Sequence, residues 1–223
     1  FGPVPEVAAL PPPPYLGENI NPLTGQPMDA ARLQQRPLMV CINNTSLEGV
    51  RPQYGLSQAD LVYEYVVEGG ITRYTALFWS QDVERIGPVR SARLINAQIP
   101  AQYQALLACS GASGEVNWIL KNKLQAPYIN ADQDDPGNNR YFFTVGNHWE
   151  TRMQTSTNGL RRWLADNQLE EAPALRGFYF SDLAPGGGEM AIQVSIPYQR
   201  GYQVDWIYDA AGGGRYLRRL AGT

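Results

Sequence analysis

The chain reads as an α/β (α+β) protein: a mixed sheet with flanking helices in an N-terminal domain, followed by a smaller, mostly antiparallel β domain. Three observations predict this. A continuous apolar run at 36–43 has the pattern of a strand buried on both faces. A strand, glycine loop and helix follow one another over 105–123. The last forty residues break into short alternating segments separated by Gly and Pro.

In chain order, residues 1–20 read as a linker, because Phe1-Gly-Pro-Val-Pro and Pro11-Pro-Pro-Pro14 favour an extended polyproline tether over helix or strand. Such a tether implies that something upstream was removed. Asn21-Pro-Leu-Thr-Gly25 is a turn sequence and opens the first domain, taken as 21–150. The strand at 36–43 ends in the polar turn Asn43-Asn44-Thr45-Ser46, whose two overlapping sequons carry little weight. Residues 58–68 and 71–79 form the clearest hairpin, with Gly69-Gly70 supplying the positive φ of a tight turn. Alternation places Val62, Glu64, Val66 and Glu68 on one face, and Leu61, Tyr63, Tyr65 and Val67 on the other.

Ile86-Gly-Pro-Val-Arg-Ser-Ala-Arg93 reads as a helix start at Pro88, which would make Arg90 and Arg93 neighbours on one helical face. Ala105–Cys109 is a short strand, and Ser110-Gly-Ala-Ser-Gly114 leads into a helix over 115–123. Residues 130–140 are a polar loop, and 156–167 an amphipathic helix with Leu160, Trp163 and Leu164 on its apolar side. The second domain is taken as 151–223. Its strands are expected at 177–181, 191–196, 203–208 and 215–219.

Bulk properties narrow the function. A net charge of -3 and a pI near 5.2 argue against a non-specific nucleic-acid binder. Of 18 cationic residues only Lys121 and Lys123 are lysines, so almost every positive group is a guanidinium, a bias that genome base composition also produces. No run approaches the roughly 18 apolar residues needed to span a bilayer. Cys41 and Cys109 match no metal spacing and lie in apolar runs, which favours buried free thiols over the disulfide the pair equally permits.

The strongest chemical constellation is Asp60, Glu64, Glu68, Arg73, Arg90 and Arg93, with Arg51 and Gln53 upstream and Ser91 between the arginines. Opposed hairpin strands would bring Glu68 to Arg73. Paired arginines fork onto a phosphate or carboxylate, and Asp60 and Glu64 are weak candidates for a divalent cation such as Mg. An internal salt-bridge network is the competing reading. Ser110, Gly111 and Ser113 offer backbone amides to an anion, but the loop lacks the P-loop ending and Gly-x-Ser-x-Gly, and an ordinary tight turn with a serine helix cap is the favoured explanation. His148, the only histidine, has no partnered nucleophile. Asp132, Asp134 and Asp135 lack calcium-loop spacing, and no zinc set exists.

Four blocks in order, Asn21-Pro-Leu-Thr-Gly25, Arg51-Pro-Gln-Tyr-Gly-Leu-Ser-Gln-Ala-Asp-Leu-Val-Tyr-Glu64, Val67-Glu-Gly-Gly-Ile-Thr-Arg73 and Ile86-Gly-Pro-Val-Arg-Ser-Ala-Arg93, resemble the DUF3048 family of YerB-like bacterial lipoproteins. The resemblance implies an extracytoplasmic cell-envelope protein, secreted or held to the membrane by a removed N-terminal anchor, with a C-terminal domain that is incomplete here. It carries no biochemical activity. A fainter likeness to LytR-CpsA-Psr proteins gives Asp60, Arg73, Arg90 and Arg93 analogous jobs. The expected function is therefore binding of a small anionic ligand or envelope protein at the arginine and acid cluster, with no cofactor. The alternative is a metal-assisted phosphotransferase acting on an envelope lipid pyrophosphate.

Overall fold

The computed structural model describes residues 17–180, 188–199 and 201–220. Most of the linker expected at 1–20 lies outside them.

The apolar run becomes β1 (Leu38–Asn43), buried at all six positions. It sits at the centre of a five-stranded sheet with β2 (Leu61–Val66), β3 (Thr72–Phe78), β4 (Leu106–Cys109) and β5 (Tyr128–Asn130), in the order β2-β3-β1-β4-β5. β1 is antiparallel to β3 and parallel to β4, and β4 is parallel to β5, so the expected mixed sheet is present. Gly69 and Gly70 both adopt positive φ, at 70° and 72°, as the hairpin requires, although the turn holds a short helical turn over Glu68–Gly70.

Strict alternation splits the core in two. Even-numbered β1 and β3 residues, Leu38, Val40, Ile42, Ala76 and Phe78, pack with Leu106, Ala108 and Ile129 on one face. Met39, Cys41, Leu77, Leu107 and Cys109 pack on the other. Short helices α1 (Ala30–Leu33) and α2 (Ile99–Gln102) precede α3 (Gly114–Asn122), α4 (Ala131–Asp134) and α5 (Thr157–Asp166). Ile99, Tyr103 and Leu120 cover the odd face, whereas Leu160 and Leu164 of α5 cover the even one. A ribbon of β6 (Phe142–Thr144) and β7 (Met153–Thr155) adds Phe142 and Met153 to that layer. The core of the first unit thus includes residues on both sides of the boundary expected at 150.

Three expectations are corrected. Residues 86–92 are extended, not helical. Their amides and carbonyls are taken by distant backbone: Arg90 N donates to Cys41 O at 2.9 Å, Val89 N to Met153 O at 2.8 Å, and Asn43 N to Pro88 O at 2.9 Å. A helix there would forfeit all of these pairings, and the first helical turn comes only at Leu94–Ala97. The cysteines are joined, not free: Cys41 and Cys109 lie side by side on the parallel pair β1 and β4, with Cα atoms 5.0 Å apart. No strand forms over 177–180, where Gly177 instead lies against the Pro22 carbonyl. Residue 181 of that segment is outside the described residues.

The second unit is an antiparallel sheet of β8 (Gln193–Ile196), β9 (Val204–Asp209) and β10 (Arg215–Leu220), ordered β10-β9-β8, as alternation predicted. It meets the first unit through Arg218, which ion-pairs with Glu64 at 2.7 Å, and Tyr198, whose hydroxyl donates to the Glu64 carbonyl at 3.1 Å.

Candidate functional site

The parallel strands β1, β4 and β5 end together at Asn43, Cys109 and Asn130, the edge at which open α/β sheets bind ligands. Three arginines gather at this edge. Arg73, near the start of β3 and opposite Asn43, is 3% exposed. It donates to the Ser91 carbonyl at 2.6 Å, and its buried Nε has no hydrogen-bond partner among the described residues. Arg93 shares that carbonyl at 3.3 Å, bonds its own neighbour Ala92 O at 2.9 Å, and pairs with Glu68 at 2.8 Å. Arg90 lies 4.6 Å from the Trp149 ring centre and 3.7 Å from Glu150, and its Nε is likewise buried without a partner.

Carboxylates ring this cluster without neutralising its centre. Glu68 serves Arg93, Glu150 stands off Arg90, and Asp132 accepts from the Ser110 hydroxyl at 2.9 Å. None of the ion pairs among the described residues includes Arg73. Burial, and then the positive charges of Arg93 and Arg90, push the Arg73 guanidinium down to about 10. Burial lowers Arg90 as well, and Glu150 opposes that shift.

The glycine loop forms the opposite wall. Ser110 N bonds Arg90 O, Ala92 N bonds Gly111 O, and Gly111 N donates to Asn130 Oδ1 at 2.9 Å. Gly111 has φ 79°, and a Cβ there would stand 3.0 Å from Asp132 and 3.3 Å from the Ser91 hydroxyl, so only glycine lets the two loops close on each other. Ser113 caps α3, accepting from Val116 N at 3.3 Å, which accounts for it without a ligand.

The acid and arginine group expected from sequence therefore divides. Arg73, Arg90, Ser91, Arg93, Glu68, Ser110 and Gly111 come together, although Glu68 meets Arg93 and not Arg73. Asp60 is elsewhere, accepting from Asn21 Nδ2, Trp79 N and Ser80 N at 3.0, 2.7 and 3.0 Å. Glu64 lies on the other face of the sheet, since it pairs with Tyr74 across the ladder while Arg73 pairs with Tyr65. Arg51 and Gln53 are on Glu64's side, both bonding Asn44. Asn43 and Asn44 are fully buried, which removes the sequons. Among the described residues no three of His, Cys, Asp and Glu converge on a cation position. Asn130, Asp132, Trp149 and Glu150 complete the cluster and had no sequence signal beyond an Asp-rich loop and a Trp-Glu pair after the histidine. The His148 carbonyl closes the turn to Thr151 and Arg152.

Residues 23–170 match the family described as DUF3048, protein of unknown function, N-terminal domain. The chain belongs to this family. Over 72 residues, 32% of the chain, it is 50% identical to "Putative lipoprotein YerB" of Bacillus subtilis, and that stretch spans 21% of the relative's length. The crystal structure of the YerB protein from Bacillus subtilis superimposes on it with a TM-score of 0.76 and 25% identity, covering 92% of this chain and 67% of the YerB chain. No described helix is long and apolar enough to cross a membrane.

Proposed function

We propose that this DUF3048 chain is an extracytoplasmic, lipoprotein-type protein that binds a small anionic ligand among Arg73, Arg90 and Arg93, beside the Ser110-Gly111 loop, whose amides are not free for it because they already bond Arg90 O and Asn130 Oδ1. The observation that carries the reading is Arg73, a buried guanidinium with no carboxylate partner and an unused Nε among the described residues. An unpaired buried charge costs several kcal/mol, and a bound phosphate or carboxylate would supply the missing counter-charge in bidentate form. The location is supported by the buried Cys41–Cys109 bond, which fits an oxidising compartment, and by the printed name of the Bacillus relative. The metal-assisted phosphotransferase reading needs Asp60 or Glu64 beside the arginines. Asp60 is consumed by backbone amides and Glu64 faces away.

Calorimetric titration with pyrophosphate, with and without magnesium, tests the proposal. Saturable binding that persists in EDTA and weakens at least tenfold in Arg73→Met is the expected result, from the loss of a charge-assisted contact worth roughly 1.5–3 kcal/mol. Absence of binding at millimolar pyrophosphate sinks it. Binding that requires magnesium returns the case to the phosphotransferase.

A further inference from the structure

A cavity of about 770 Å³ opens on the other face of β3, between the first unit and the three-stranded sheet. It is of the size that encloses a drug-sized ligand. Its walls are apolar: Leu56 and Val62 on one side, Ile196 and Trp206 on the other. Val62, Ile196 and Trp206 stay 44%, 36% and 36% exposed there, so these side chains confront each other without touching fully.

One end of the cavity is polar, formed by Glu64, Tyr74 and Arg218. Both carboxylate oxygens of Glu64 are engaged, one by the Thr72 hydroxyl at 2.8 Å and Asn44 Nδ2 at 3.4 Å, the other by Arg218 at 2.7 Å. A single Arg218 nitrogen serves both Glu64 and the Tyr74 hydroxyl oxygen, the latter at 2.9 Å. Nε and the second terminal nitrogen of Arg218 therefore have no acceptor among the described residues. Neither does the proton of Tyr74, a hydroxyl that burial, and then Glu64, hold in its neutral form by raising it to about 12. Arg51 adds a second positive charge nearby, hydrogen-bonded to Asn44 and, among the described residues, ion-paired with no carboxylate. Two cations thus stand near one carboxylate, and Tyr74 and Arg218 both line the apolar chamber. Those groups are free to take up a ligand acceptor in place of water.

We infer that this cavity binds a single-chain amphiphile with a carboxylate head. The acyl chain lies between Val62 and Trp206, and the head accepts from Arg218 and the Tyr74 hydroxyl. The assignment does not depend on the arginine cluster, which is across the sheet.

The test titrates the purified full chain with dodecanoate below its micelle concentration, read by calorimetry and tryptophan fluorescence, beside dodecanol, dodecyltrimethylammonium and butanoate. Saturable one-to-one binding of dodecanoate is expected, at least tenfold tighter than either neutral or cationic analogue, with butanoate silent. Val62→Trp fills the chamber from a half-exposed strand position, and it should abolish binding while circular dichroism stays unchanged. Arg218→Gln should weaken binding at least tenfold. If that variant fails to fold, Val62→Trp decides alone. No saturable binding, equal binding of dodecanol, or undiminished binding in Val62→Trp overturns the inference. So does tighter binding of acetyl-trileucine than of dodecanoate, or a self-associated dimer that Val62→Trp dissociates while dodecanoate is ignored.

Discussion

Replacing Arg73 by Met should leave the fold nearly as stable as before and remove the stabilisation that an anion confers. The residue is 3% exposed and its charge is paired with no described carboxylate, and the depression from 12.5 to about 10 corresponds to about 3 kcal/mol at 1.36 kcal/mol per pKa unit. Methionine fills much of the same volume and relieves that penalty. It also deletes the 2.6 Å bond to Ser91 O, a charged hydrogen bond worth about 1.5–3 kcal/mol. The two nearly cancel, so the apo variant should lie within about 1.5 kcal/mol of the parent, against the 2–5 kcal/mol usual for truncating a large buried side chain. The parent should gain about 2.7 kcal/mol with an anion present at a hundred times its dissociation constant, or roughly 5–11 °C in Tm for a chain of this size. Urea and thermal unfolding in sodium sulfate against sodium chloride of equal ionic strength measures both quantities. Sulfate also stabilises any fold through exclusion from its surface, so the readout is the difference between parent and variant. Equal gains in both, or an apo variant more than about 3 kcal/mol weaker, refutes the reasoning.

The same group sets a pH dependence. Sulfate is a dianion from neutral to alkaline pH, so its affinity should hold level to about pH 9 and fall as Arg73 loses its proton through about 10, measured by calorimetry across that range. Because the folded value lies below the unfolded one, folding disfavours the charged form at every pH below about 10, and this penalty lessens only above it. Asp60→Ala should cost roughly 2–4 kcal/mol in urea unfolding, since Trp79 N, Ser80 N and Asn21 lose their acceptor, while sulfate affinity changes less than twofold. Reduction of Cys41–Cys109, separated by 68 residues, should lower stability by about 4 kcal/mol on the loop-closure estimate, checked by unfolding with and without reductant in parent and Cys41→Ala.

Local pattern was sufficient where the partners are local. The unbroken apolar run of β1, the Gly69-Gly70 hairpin, the Ser113 cap of α3 and the Ser156 cap of α5 each depend on neighbours within a few residues. Pattern failed where partners are distant. The amides of 86–92 bond Cys41, Gly111 and Met153, none within ten residues, and so a Pro that opens helices elsewhere here begins an extended crosspiece. The cysteine pairing follows from β1 and β4 being parallel neighbours, a fact of topology that spacing does not encode. The acid and arginine cluster was half legible. Alternation correctly put Val62 and Glu64 on one face of β2, but only the register, Glu64 to Tyr74 and Tyr65 to Arg73, reveals that the arginine belongs to the opposite one.

β3 joins the two sites. All seven of its residues are buried, yet four in succession, Thr72, Arg73, Tyr74 and Thr75, are polar or bear a polar tip. A buried strand tolerates such a run only if each group finds a partner. The two threonines do: Thr72 bonds Glu64 and Asn44, and Thr75 bonds Tyr65 and Asn96. Arg73 and Tyr74 do not complete theirs, and because successive side chains leave a strand on opposite faces, one strand presents an unfilled donor to each side of the sheet. The incomplete pair coincides with the arginine cluster on one face and the amphipathic cavity on the other. Two ligands, one small and fully charged, one long and mostly apolar, are what would complete the hydrogen bonding of this strand.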